Sequence, residues 1–231
     1  MIPSGFSAEL VSDLGFDFII IDCQHGLISY DSMVSMLQAT SRTAVAPIVR
    51  VNRADAASIG ACLDAGAAGV IVPMVNGPAD ALAAVAACRY PPLGSRSWGP
   101  VRSSMILPGD ANKVNGDVLC VILIETRDAL ESIEEIVACP GIDAVFIGTA
   151  DLALSMGLPI GAPSDDLDVA IVRIREACSA AGVVVGMPVA VERMKVRFEE
   201  GYRFFAIGAD YQWLRAASTQ TLNSARSTLT D

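Results

Sequence analysis

Five polar residues stand out against the apolar sequence around them. Asp22 and His25 fall in FDFIIIDCQHGL, Arg50 closes APIVR, Glu125 closes VLCVILIE, and Asp151 follows VFIGTA. An acid three residues before the chain's one histidine can supply a general base and the group that orients it. An arginine where an apolar run ends presents planar donors for a carboxylate or an enolate oxygen; the same arginine could serve a structural ion pair. Glu125 and Asp151 lie about one strand–helix unit apart. Two carboxylates so placed suit Mg²⁺ or Mn²⁺, which take one or two carboxylates and leave the other positions to water and substrate. As acids in the first turn of a helix they would need no metal. A single histidine makes zinc a poor match. The segment GTADLA, Gly148 to Ala153, reads as a strand end running into a helix start, whose N–H groups can receive a carboxylate.

These residues need a scaffold that brings them together. Short runs rich in Val, Ile and Phe recur: DFIIID, APIVRV, GVIVPM, VLCVILIE, DAVFIG, GVVVGMP and FFAIGA. They lack polar alternation, as parallel strands buried on both faces do. Between most of them lie segments of helical spacing, among them SIGACLDAG, ADALAAVAACR, ALESIEEIVA and LDVAIVRIREACSAAG. Strand then helix, repeated, predicts a (β/α)8 TIM barrel as one domain over residues 1–231, with the first strand missing because the chain opens on a helix, SAELVSDLG. A doubly wound sheet is the alternative, yet no G-x-G-x-x-G follows a strand. In a barrel the C-terminal strand ends form the active face. Asp22, Arg50, Glu125 and Asp151 fall at or just after such ends, and His25 lies in the loop after one.

Composition narrows the partners. A formal charge of -10 sets the chain against phosphate backbones and anionic membrane surfaces, so neither nucleic acid nor membrane is expected. No apolar run reaches a membrane-spanning length, and the N-terminus lacks the basic start and apolar stretch of an export signal. The six cysteines are scattered without a C-x-x-C pair, as reduced thiols would be, and a cytoplasmic location is expected. The only lysines, Lys113 and Lys195, lie away from strand ends, which disfavours a Schiff base. The stretch from Pro91 to Asp110 reads as a lid, an interface loop or plain surface.

FDFIIIDCQHG, PIVRV, LDAGAAGVIVPMV, RYPPLGSRSWGP, VILIETRDAL and VFIGTADLALSMG, taken in this order, resemble the HpcH/HpaI family of metal-dependent, class II pyruvate aldolases. The resemblance runs from Ser7 to the DYQWL segment. It implies a (β/α)8 barrel that reversibly cleaves a 4-hydroxy-2-oxo acid to pyruvate and an aldehyde through an enolate held by metal and arginine. Glu125 and Asp151 would bind the cation, Mg²⁺, Mn²⁺ or Co²⁺, and Arg50 would stabilise the enolate. His25 would be the acid/base group, oriented by Asp22. The N–H groups of Gly148, Thr149 and Ala150 would hold the pyruvate carboxylate, and Asp64 would approach the histidine of a neighbouring subunit. A homo-oligomer, a hexamer, is implied. The chain departs from the family pattern at Gln24, where glutamate is frequent, at Leu123, where glutamine is, and at Thr149, where proline is. Two alternatives stay open: a citryl-CoA- or malyl-CoA-type lyase, and a non-catalytic oligomeric barrel.

Overall fold

A computed structural model describes residues 2–107 and 109–229. Seven parallel strands form one sheet among these residues: β1 (Phe18–Asp22), β2 (Ala46–Arg50), β3 (Gly69–Val72), β4 (Leu119–Ile124), β5 (Ala144–Ile147), β6 (Val184–Pro188) and β7 (Phe204–Ala206). Each expected run forms its strand. The strands are ordered in the sheet as in the chain, which excludes the doubly wound alternative, whose order must reverse. Helices fill the connections: α1 (Gly5–Ser12), α2 (Tyr30–Thr40), α3 (Ala56–Asp64), α4 (Pro78–Cys88), α5 (Ser103–Ile106) and α6 (Ala111–Asp117) in the first half of the chain. The second half adds α7 (Arg127–Glu131), α8 (Ile133–Val137), α9 (Thr149–Ser155), α10 (Asp165–Ala181), α11 (Met194–Glu199) and α12 (Asp210–Thr228).

The sheet curls, so that the rings of Phe18 on β1 and Phe204 on β7 meet at 4.3 Å across its inside. These two edge strands are not hydrogen-bonded to each other, and no eighth strand lies between them among the described residues. A cavity of about 270 Å³ occupies that gap, lined by Phe18, Ile20, Phe146 and Ala206 and reaching Asp22 and Arg50 at its upper end. Because strand side chains alternate between faces, two cores form. Ile48, Ile71, Val121, Leu123, Ala144 and Phe146 pack inside the curl, with Phe18, Ile20, Phe204 and Ala206 against them. Their neighbours Ile21, Val49, Val70, Ile122 and Val145 face outward into a larger core with helix residues such as Leu63, Ala81, Ile133 and Ile174.

Two segments differ from expectation. ALESIEEIVA is not one helix: Ser132, at φ -101 and ψ 14, separates α7 from α8. The stretch from Pro91 to Asp110 contains α5 and is pinned by Arg96, which is buried with its guanidinium 4.5 Å from the Tyr90 ring centre, while Trp98 packs 4.9 Å from the same ring. Pro108 lies outside the described residues. No helix among the described residues is long and apolar enough to cross a membrane.

Candidate active site

The inward ladders explain how the polar residues come together. Phe18, Ile20 and Asp22 alternate along one face of β1, as do Ile48 and Arg50 along β2, and Val121, Leu123 and Glu125 along and just past β4. Each ladder is apolar below and ends in a charge at the C-terminal rim. Pairing puts Asp22 directly beside Arg50. The Arg50 Nε donates to Asp22 Oδ1 at 2.8 Å and Nη2 to Oδ2 at 2.5 Å, a two-pronged ion pair with the Asp22 side chain only 3% exposed. The Gln24 and His25 backbone N–H groups add bonds to Oδ1 at 3.1 and 3.3 Å. Burial alone would raise the Asp22 carboxyl, but the Arg50 bonds and charge, with these two N–H groups, hold it below the ordinary carboxylate value. Asp22 therefore meets His25 through the backbone and fixes the loop that carries the imidazole. His25 itself is exposed at the rim.

Glu125 is the more constrained acid. It is 1% exposed, its Oε1 accepts the Met74 N–H at 2.8 Å, and its Oε2 is buried without a hydrogen-bond partner among the described residues. Burial pushes its carboxyl above the ordinary value; the Met74 N–H opposes this, the Asp151 charge adds to it, and Arg50 and His25 oppose it. Asp151, Arg50 and His25 are thus all within electrostatic reach of one buried carboxylate. An unpaired carboxylate oxygen out of water is costly; a proton relieves that cost, in keeping with the raised carboxyl, and so does a cation beside it. The donor set, two carboxylates and no cysteine or second histidine, fits a hard divalent ion completed by water and substrate oxygens. Among the described residues no group of three or more His, Cys, Asp or Glu side chains forms a metal cage by itself. Leu123, 1% exposed, forms an apolar floor beneath Glu125.

Gly148 packs so tightly that an added Cβ would lie 2.8 Å from the Glu125 Cβ and 3.0 Å from its Oε2. Its N–H is already given to the Ile124 carbonyl at 2.9 Å, so of the three expected carboxylate donors it differs from the other two. Thr149 and Ala150 open α9 ahead of its first intrahelical bond, from the Leu152 N–H to the Gly148 carbonyl. Asp64 closes α3, at the end away from the rim, and binds Arg96 Nη2 at 2.6 Å. Within one chain it does not approach His25. Met74, Thr126 and Arg96 lie inside motifs that carry the family resemblance and Asn76 just past one, yet no role was expected of any of them. Met74 acts through its backbone and Arg96 through a pairing distant in sequence, so residue type alone signals neither contact.

A parallel, curled sheet of seven strands with an acid-, arginine- and histidine-bearing rim is a TIM-like half-barrel with its polar groups at the C-terminal strand ends. The profile of the HpcH/HpaI aldolase/citrate lyase family matches residues 4–217. The chain is 37% identical over 229 residues to the "Hydroxypyruvate/pyruvate aldolase" of Rhizorhabdus wittichii, spanning 97% of this chain and 91% of that protein. It is 36% identical over 227 residues to the "4-hydroxy-2-oxo-heptane-1,7-dioate aldolase" of Shigella sonnei, spanning 94% of this chain and 85% of that one. A crystal structure of an HpcH/HpaI aldolase/citrate lyase family protein from Burkholderia cenocepacia superposes with a TM-score of 0.87 at 30% identity, covering 97% of this chain and 91% of that chain. The chain belongs to the HpcH/HpaI aldolase/citrate lyase family and, with it, to the lyases.

The ion pair at the rim has a measurable consequence. Removing one partner of a buried pair leaves the other charge unpaired, so Arg50→Ala is expected to cost about 3 kcal/mol of stability at pH 7 by urea unfolding. Because the Asp22 carboxyl is lowered in the fold, its contribution is complete above the ordinary carboxylate pKa. It is lost as pH falls through the lower folded value. The gap between wild type and variant should therefore narrow under acid; a gap constant from pH 7 to pH 3 contradicts the assignment.

Proposed function

We propose that the protein is a divalent-metal-dependent pyruvate aldolase, reversibly cleaving a 4-hydroxy-2-oxo acid to pyruvate and an aldehyde on one barrel domain. The observation that carries this is the buried, unpartnered Glu125 Oε2, in electrostatic reach of Asp151, Arg50 and His25. Glu125 and Asp151 would hold Mg²⁺, Mn²⁺ or Co²⁺, which supplies Lewis-acid polarisation of the 2-oxo group.

The other steps belong to the chain. The Thr149 and Ala150 N–H groups receive the substrate carboxylate at the start of α9. Arg50 gives two N–H groups to Asp22, and its Nη1 makes no hydrogen bond to the protein among the described residues. That leaves donors for the negative oxygen that develops as the carbon–carbon bond breaks. His25, on the loop fixed by Asp22, accepts the proton of the 4-hydroxyl as the aldehyde forms. Leu123 offers this space no hydrogen bond, so selectivity there rests on shape. In this reading the apolar gap between β1 and β7 is the place of the eighth barrel strand.

We also infer that the chain works as a homo-oligomer. The 19-residue α12 buries none of its residues, although Tyr211, Trp213, Leu214 and Leu222 are 39–60% exposed on it. An assembly would also be needed to bring Asp64 to a histidine. Light scattering at micromolar concentration should give a mass several times 24.1 kDa; a monomer mass refutes it.

The direct test of activity is pyruvate release from a panel of 4-hydroxy-2-oxo acids, with each metal and with EDTA. Cleavage that requires metal is expected. Dependence on coenzyme A would instead indicate a thioester lyase, and no release under any condition would indicate a non-catalytic barrel. His25→Ala is expected to lower kcat by about 10²- to 10⁴-fold while leaving metal affinity nearly unchanged; a wild-type rate removes His25 from the chemistry.

A further inference from the structure

Met74 is the one described residue other than glycine with a left-handed backbone, at φ 55. A side chain in that region costs roughly 1–2 kcal/mol, so the conformation persists only where neighbours impose it. The Met74 side chain does not impose it, being 52% exposed. What holds the residue is polar and lies on both sides of its backbone. Its N–H goes to Glu125 Oε1 at 2.8 Å, and its carbonyl accepts Asn76 Nδ2 at 3.2 Å. Asn76 Oδ1 in turn accepts the hydroxyl of Thr126, the residue after Glu125, at 2.7 Å. The Asn76 backbone N–H is tied to Asp80 on α4 at 2.9 Å, and Thr126 Oγ1 receives the Ala129 N–H at 3.1 Å as the cap of α7.

The result is a closed circuit: Glu125, the Met74 N–H, the Met74 carbonyl, the Asn76 amide, the Thr126 hydroxyl, and back through one peptide to Glu125. It joins the loop after β3 to the end of β4. Only Glu125 Oε2 is left outside it.

We propose that Asn76, acting with Thr126, is a positioning residue that locks Glu125 into one rotamer, with Oε1 spent on the protein and Oε2 alone presented to a divalent cation. The inference rests on the metal-dependent function proposed above and goes beyond it by naming the groups that prepare the ligand. Asn76 touches neither metal nor substrate; its effect passes through the strained Met74 peptide. Without the amide, Met74 is free to relax toward ordinary φ, its N–H turns from Oε1, and Glu125 loses its preset geometry.

The test is Mn²⁺ binding to the metal-stripped protein, followed by electron paramagnetic resonance of the free ion, with thermal midpoints measured in EDTA alongside. Asn76→Ala should raise the Mn²⁺ Kd about 10- to 100-fold, the range seen when partners of metal ligands are removed. Thr126→Val should do the same, and Thr126→Ser, which keeps the hydroxyl, should stay within about twofold of wild type. Because both groups act through one circuit, the double variant Asn76→Ala/Thr126→Val should bind little worse than either single variant. Lower thermal midpoints with unchanged Kd in both single variants would make the circuit merely structural and overturn the inference while the metal-dependent function stands. A wild-type protein that binds no Mn²⁺ would overturn both. Should Asn76→Ala fail to fold, the Thr126 pair decides alone.

Discussion

A carboxylate sealed from water at the end of a strand, one oxygen bonded and the other bare, is the constraint on which the site depends. Glu125 sits there because β4 alternates: Val121 and Leu123 fill the inside of the curl, and the next inward position falls at the rim. Gly148 leaves room for it, since any larger residue would overlap its side chain. The left-handed turn at Met74 supplies its one donor. Much of the local architecture, from the short β3–α4 loop to the glycine after β5, is legible as the means of holding Glu125 at the rim with one buried oxygen unpaired.

The second acid is treated in the opposite way. Asp22 is as well buried as Glu125, yet both of its oxygens are bonded, and its proton affinity falls where that of Glu125 rises. The difference is Arg50, placed beside Asp22 by strand register and reaching it with two nitrogens. A satisfied carboxylate can anchor a loop and orient a guanidinium. An unsatisfied one takes up a proton or a cation more readily. Two acids on inward ladders of one sheet thus differ in hydrogen bonding and proton affinity because of their neighbours alone.

The strands and the rim residues were readable from the sequence because both follow from local pattern. Unbroken apolar runs mark strands buried on two faces, and a charge ending such a run has to lie at a rim. The interactions that set the roles were not readable. The pairing of Arg50 with Asp22 requires strand register, and the hold on Glu125 runs through a backbone N–H at a residue type that does not ordinarily adopt positive φ. The break at Ser132 was hidden in the helical spacing of ALESIEEIVA. Asp64 shows a further limit: its partner Arg96 lies 32 residues on, in a stretch whose spacing announces no regular element.

Under the proposed function, Glu125 through its one unpaired oxygen makes enolate chemistry on pyruvate depend on a divalent cation. Proton NMR of pyruvate in D₂O follows that half-reaction alone, as loss of the methyl signal by exchange, without knowledge of the aldehyde. Methyl exchange should be rapid with wild-type protein and Mg²⁺, should stop on adding EDTA, and should fall at least about 100-fold in Glu125→Gln, which keeps the acceptor for Met74 but removes the charge. Exchange that persists at the wild-type rate in EDTA, or in Glu125→Gln, would contradict it.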